Sequence, residues 1–392
     1  MQTNERIYGL DWLRIVVFGL LIFYHTGMFY VSWDWHAKSV HAGPAIEPLM
    51  MLTSPWRLGL LFLISGVATR FMRDKMSERR FFAERSSRLL IPLLFCVFVI
   101  VPPQSYIEIV EKLGYSGSYW DFYQNYVTGY GGWCQDGDCL IVPTWNHLWF
   151  VAYLWAYSII IAALSPLLSM GWVHALGYGI ASRLKGAWLI LVPAAFLAVL
   201  RLTLFPLFGQ THAFIDDFYL HALYFSLFLF GYGLAKSQTL WSAIIPLRYV
   251  ALVIGLACYA AIASYASTYA DSTPPEALRL AMRVVWALDS WCWMLCALGF
   301  ARTLPLPDGR ARAYLTDAVF PYYIMHQTVI VVFGHTLTKW GLPVSLEAPL
   351  LLGVTIGACL ITYEIVRRVA ILRPLFGLRR MARARAPALQ AS

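Results

Sequence analysis

The sequence predicts an all-α integral membrane protein, a bundle of about ten transmembrane helices with both termini cytoplasmic. Three observations carry that expectation. Of the 392 residues, 59% are hydrophobic and only 13% are charged, about half the charge of an ordinary soluble domain. The apolar residues gather into runs of roughly 20, the length that crosses about 30 Å of hydrocarbon. The Lys and Arg residues crowd alternate connections, which is the signal that sets orientation. The 16 Trp and 23 Tyr suit interfacial belts. The net charge of +9 is therefore read as a topology signal and not as affinity for nucleic acid.

In chain order the candidate spans are 10–31, 54–72, 89–107, 146–168, 187–208, 217–235, 248–270, 280–301, 314–337 and 349–371. With the N-terminus inside, the inside segments hold 23 of the 30 Lys and Arg. They run from Arg6 and Arg14, through the seven cations of Arg70 to Arg88, to the cluster from Arg367 to Arg385. The outside connections are mainly acidic, from Asp34, Glu47, Glu108 and Glu111 through Asp136, Asp138, Asp216 and Asp217 to Glu347. No A-x-A cleavage site follows the first run, and no internal repeat or linker is visible. Residues 1–392 thus read as one polytopic domain without a fused soluble domain. The last dozen residues, MARARAPALQAS, read as a basic tail near anionic headgroups.

Cys96, Cys258, Cys292, Cys296 and Cys359 lie in apolar runs, as packing residues do. Cys134 and Cys139 sit in a polar outer loop, GWCQDGDCL, and close a small disulfide ring if that loop faces an oxidising compartment. A metal needs more ligands than this pair supplies, and no metal is expected. The long outer connection, roughly 107–145, is rich in Tyr, Trp and Gly. It suits either stacking on sugars or resting on the bilayer.

Ionisable residues inside spans are costly and are functional-site hypotheses by default. In the first run, GLDWLRIVVFGLLIFYHTGMFYV, Arg14 and His25 are eleven residues apart, about three turns plus 20°. They share one helix face about 16 Å apart along the axis, with Asp11 near it. Thr26 and Gly27 leave room for another group to approach the imidazole. His326 reaches a similar depth in the ninth span, where it either bonds across helices or joins the chemistry. His147, beside Trp145 and Trp149, is an interfacial residue or a substrate contact. Arg201 and Asp289 form a structural ion pair, or Arg201 joins Arg57 in meeting an anionic acceptor or carboxylate. Ser65 and Gly66 form a small notch in a Leu- and Phe-rich helix. Arg85 and Arg88, one helical turn apart, either mark the inside surface or hold phosphates bidentately.

Together these segments resemble the acyltransferase 3 family of bacterial membrane enzymes. The residues that carry the resemblance are Arg14 and His25, the run Phe62-Leu63-Ile64-Ser65-Gly66, and Arg85 with Arg88. His147-Leu148-Trp149-Phe150 and Tyr322-Tyr323-Ile324-Met325-His326-Gln327 add to it and look most like the glucan biosynthesis protein C branch. The resemblance implies a multi-pass protein of the bacterial inner membrane. It implies acyl transfer from cytoplasmic acyl-CoA, succinyl-CoA or acetyl-CoA, to a hydroxyl of an extracytoplasmic glycan or lipid-linked glycan. Arg14, Arg85 and Arg88 would bind the donor phosphates, and His25 would act as general base or acyl carrier. Ser65, His326 or a Tyr of the 322–323 pair would donate to the developing oxyanion, and His147, Arg57 and Arg201 would contact substrate. A transporter or flippase of a glycan or lipid is the alternative from another class, without the repeats such proteins often show. Oligomeric state is not legible.

Overall fold

The computed structural model describes residues 8–135 and 137–380; Arg6, Asp136 and the basic tail 381–392 lie outside the described residues. The chain is almost wholly helical. The principal helices are α1 (Tyr8–Met28), α2 (Arg57–Arg73), α3 (Glu78–Val99), α4 (Pro102–Leu113), α5 (Tyr119–Thr128), α6 (Trp149–Ala163) and α7 (Gly171–Arg183). They continue with α8 (Ala187–Thr203), α9 (Phe218–Leu234), α10 (Gln238–Thr268), α11 (Glu276–Thr303), α12 (Arg310–Leu337), α13 (Val344–Arg368) and the short α14 (Leu372–Leu375). Each predicted span overlaps a helix, the third straddling α3 and α4. Seven helical stretches among the described residues are long and apolar enough to cross a membrane. Outside that set, α2 and α9 have 17 residues each, and α12 carries Arg310, Arg312 and Asp317 in its first turns.

Three boundaries differ from expectation for local reasons. α3 starts at Glu78 and stops at Val99, because Pro102 and Pro103 cannot continue its hydrogen-bond ladder and instead open α4. α10 begins at Gln238, where the Ser237 hydroxyl caps the amide of Leu240. The segment 107–145 folds into the end of α4, α5 and a small hairpin. Its aromatics pack chiefly on one another, with Phe122, Tyr126 and Trp133 buried beside Ile109 and Val142. Trp120 and Tyr130 stay exposed. Cys134 and Cys139 are disulfide-bonded across the hairpin, and the other five cysteines are buried.

Two helix pairings place the polar groups. α2 and α9 cross with their backbones in contact: a Cβ on Gly66 would lie 2.0 Å from the Phe228 carbonyl oxygen, and one on Gly231 would lie 1.9 Å from that of Leu63. The notch beside Ser65 is thus a helix crossing. α1 and α12 run parallel in near-constant register. Asp11 pairs with Arg312 at 2.6 Å, the Arg14 guanidinium donates to the Thr316 carbonyl at 3.0 Å, and His25 meets His326 at 2.6 Å. Beyond α1, Lys38 donates to the carbonyls of Met28 and Val31, and burial lowers its ammonium to about 8.

Candidate active site

His25 and His326 stack with ring centroids 4.9 Å apart and Nδ1 of His25 2.6 Å from Nε2 of His326. The tautomers follow from the partners. His326 Nδ1 faces the carbonyl oxygens of Tyr323 and Tyr322, at 2.8 and 3.2 Å, which only accept. Its Nδ1 therefore carries the proton and its Nε2 accepts, so neutral His25 must donate from Nδ1. That leaves Nε2 of His25 with a lone pair and no hydrogen bond among the described residues. A base or nucleophile needs that state. Gly27, just beyond, makes space for Met50, whose sulfur would lie 2.3 Å from a Cβ there.

His147 is buried inside the bundle at the foot of α6. Its Nε2 donates to the carbonyls of Tyr323 and Ile324 at 3.1 and 3.2 Å, and its ring stands edge-on to His326 at 5.3 Å. The Tyr323 hydroxyl in turn donates to the His147 carbonyl. Three imidazoles and one α12 turn form a single packed unit. Of the expected oxyanion donors, His326 accepts at Nε2 where it was to donate and the Tyr323 proton is committed, whereas the buried Tyr322 hydroxyl has no hydrogen bond among the described residues. Ser65 stands half-buried on α2 and lines neither cavity described below.

At the His25 end a cavity of about 240 Å³ is lined by Tyr24, His25, Arg57, Trp149, Arg201 and Trp286, among others. The segment 209–217 roofs it. His212 and Phe214 hold φ of 56° and 71° there, a conformation most side chains avoid. Buried Asp217 fixes it by accepting from the Tyr153 hydroxyl at 2.6 Å and the His212 amide at 2.9 Å. The His212 ring then lies 4.4 Å from that of Trp149. The expected Arg201–Asp289 ion pair does not form; Asp289 accepts from the Trp293 indole at 3.1 Å, while Arg201 donates to Tyr219.

At the Arg14 end a second cavity, about 430 Å³, gathers Arg14, Lys75, Arg88 and Arg379 against the apolar wall of Ile64, Val67 and Phe71. Four cations face Asp11, which already binds Arg312. Arg85 is not with them. Its guanidinium turns into the bundle and donates to the hydroxyls of Ser158 and Thr69 at 3.1 and 2.9 Å, so Arg85 and Arg88 do not form a common clamp. Between the cavities α1 buries Val17, Phe18 and Leu21.

A polar chain missed in the sequence supports α12 from the other side. His36 donates to Glu108 at 2.6 Å and accepts from Gln327 at 3.0 Å; Gln327 also donates to Gln104, which receives Asn146 as well. Gln327 was visible only as the neighbour of His326, Arg379 only as one of the basic cluster from Arg367 to Arg385, and nothing in the composition marked His36, Gln104 or His212. Among the described residues no group of three or more His, Cys, Asp or Glu is placed to hold a metal ion.

A family model described as an acyltransferase domain matches residues 7–364. No curated protein matches the chain. No solved structure matches it either.

Proposed function

The chain belongs to the acyltransferase 3 family, and from that membership we propose that it transfers an acyl group from cytoplasmic acyl-CoA to a hydroxyl of an extracytoplasmic glycan or lipid-linked glycan. The succinyl or acetyl group and the likeness to the glucan biosynthesis protein C branch belong to this proposal. So do ten membrane crossings with both termini cytoplasmic in a bacterial inner membrane. The observation that carries it is the hydrogen-bond chain from the Tyr323 carbonyl through His326 to His25, which leaves His25 Nε2 bare at the wall of a cavity. In the proposed step the acceptor hydroxyl oxygen attacks the thioester carbonyl as its proton passes to Nε2. The C–S bond breaks, and the departing thiolate takes the proton from the imidazolium. Release of coenzyme A without acceptor would instead favour acyl transfer to His25 itself.

Donor phosphates suit the cavity of Arg14, Lys75, Arg88 and Arg379, and the roughly 16 Å rise along α1 matches the reach of a pantetheine arm. Passage of that arm requires Phe18 and its neighbours to turn aside. The test is purified protein in proteoliposomes with labelled acyl-CoA outside and glycan within. An acylated glycan with stoichiometric free coenzyme A supports the reading; intact donor with glycan moved across the bilayer establishes the transporter.

Two variants probe the parts. Arg88→Ala should raise the donor KM about tenfold with kcat nearly unchanged, since a charge-assisted contact to phosphate is worth roughly 1.5–3 kcal/mol. A donor titration reads this directly. His326 is a positioning residue: His326→Phe should lower kcat about 100-fold at constant donor KM, because His25 loses the acceptor that holds its tautomer. His326→Gln, whose amide oxygen accepts the same proton, should restore part of it. Equal rates in the Phe and Gln variants would remove the tautomer argument.

A further inference from the structure

Arg57 and Arg201 stand in the cavity beside His25 in a state that calls for a counter-ion. Arg57 is only 5% exposed, and its Nε and Nη1 have no hydrogen-bond acceptor. Its guanidinium lies over the Tyr24 ring, 3.2 Å from the centroid. Nε of Arg201 is likewise unsatisfied, and its guanidinium faces Phe205 and Trp286 at 4.7 and 4.5 Å. Among the described residues no carboxylate forms an ion pair with either. Burying a cation is costly even after relaxation, and a cation–π contact returns only part of that cost. The aromatic walls therefore orient these guanidiniums without compensating them. Planar forks of N–H donors match carboxylate and phosphate oxygens.

We infer that this cavity binds an oxyanion-bearing group of a substrate, a carboxylate or a phosphate, held by Arg57 and Arg201 beside His25. The inference rests on the acyl-transfer reading of the same site. Two sources share the chemistry: the far end of the transferred acyl chain, or the acceptor. A thioester carried to His25 from the Arg14 end points its acyl chain past the imidazole into about 240 Å³, room for a short chain but not for an oligosaccharide.

Trp149 and Trp286 line the cavity, so tryptophan fluorescence of the purified full chain reports binding without turnover. The probes are methyl hydrogen succinate, methyl phosphate and neutral methyl butyrate. Both anions should quench saturably and the ester should not. Arg57→Gln and Arg201→Gln should each raise the anion Kd at least about tenfold, while Arg57→Lys, which keeps the charge, retains most of the binding. Tighter carboxylate than phosphate assigns the site to the acyl chain; the reverse assigns it to the acceptor. In turnover, Arg201→Gln should lower kcat/KM for succinyl-CoA, or for a phosphorylated acceptor, and spare the neutral counterpart. Binding of methyl butyrate as tight as the anions overturns the inference. So does an equal loss for charged and neutral substrates in Arg201→Gln, which would give Arg201 to the developing oxyanion. Arginine-dependent anion binding by a protein that transfers nothing would leave the anion site standing and remove the acyl-transfer reading.

Discussion

Replacing His25 with alanine should leave the protein folded and reduce acyl transfer by at least about 100-fold, up to 10⁴-fold. The imidazole makes one hydrogen bond, to His326, and stacks on His326 and Trp35. α1 stays fastened to α12 through Asp11 and Arg14 without it. What disappears is the bare Nε2 at the wall of the cavity. Acyl content of the glycan, measured by mass spectrometry with the purified variant shown monodisperse in detergent, checks the prediction. Acylation at the parent level would end the catalytic role of His25.

The largest expected effect on folding comes from Gly66 and Gly231. A methyl group at either would sit about 2 Å from a backbone carbonyl oxygen of the facing helix, at Phe228 or Leu63. Neither atom is the end of a flexible side chain, so α2 and α9 must move apart by more than an ångström. Overpacking by one methylene in a tight core costs about 1–3 kcal/mol, and separating two backbones loses contact along the whole crossing. Gly66→Leu and Gly231→Leu should therefore give little monodisperse protein, with Gly66→Ala intermediate and several degrees lower in Tm. Gly19, where a Cβ meets nothing within 4 Å, is the control and should accept alanine silently. Parent-like melting of Gly231→Leu would mean that this crossing is looser than described.

Much of this was legible from periodicity. A helix of 3.6 residues per turn fixes Arg14 and His25 on one face, and counting along two like-directed spans brings His326 to the same depth. Direction within the ring was not legible, because it depends on which α12 carbonyls face His326. The direction of Arg85 was hidden for a similar reason: spacing puts it one turn from Arg88, but the Ser158 and Thr69 hydroxyls draw it inward. The tryptophans beside His147 say nothing of the α12 carbonyls that hold its ring in the bundle. Interactions that join distant segments through backbone atoms leave no trace in composition.

The parallel register of α1 and α12 has a consequence for biogenesis. His25 leaves the ribosome 301 residues before His326. At about 5–20 residues per second the interval is on the order of 15–60 s. For that time the first helix carries Asp11, Arg14 and His25 in the bilayer before Arg312, Thr316 and His326 have been made. The imidazole pair thus forms only after the helices from α2 to α11 have been made. A nascent chain stalled before residue 326 would have made the first eleven of these helices and still lack the pair, so imidazole pairing reports that translation has passed α12.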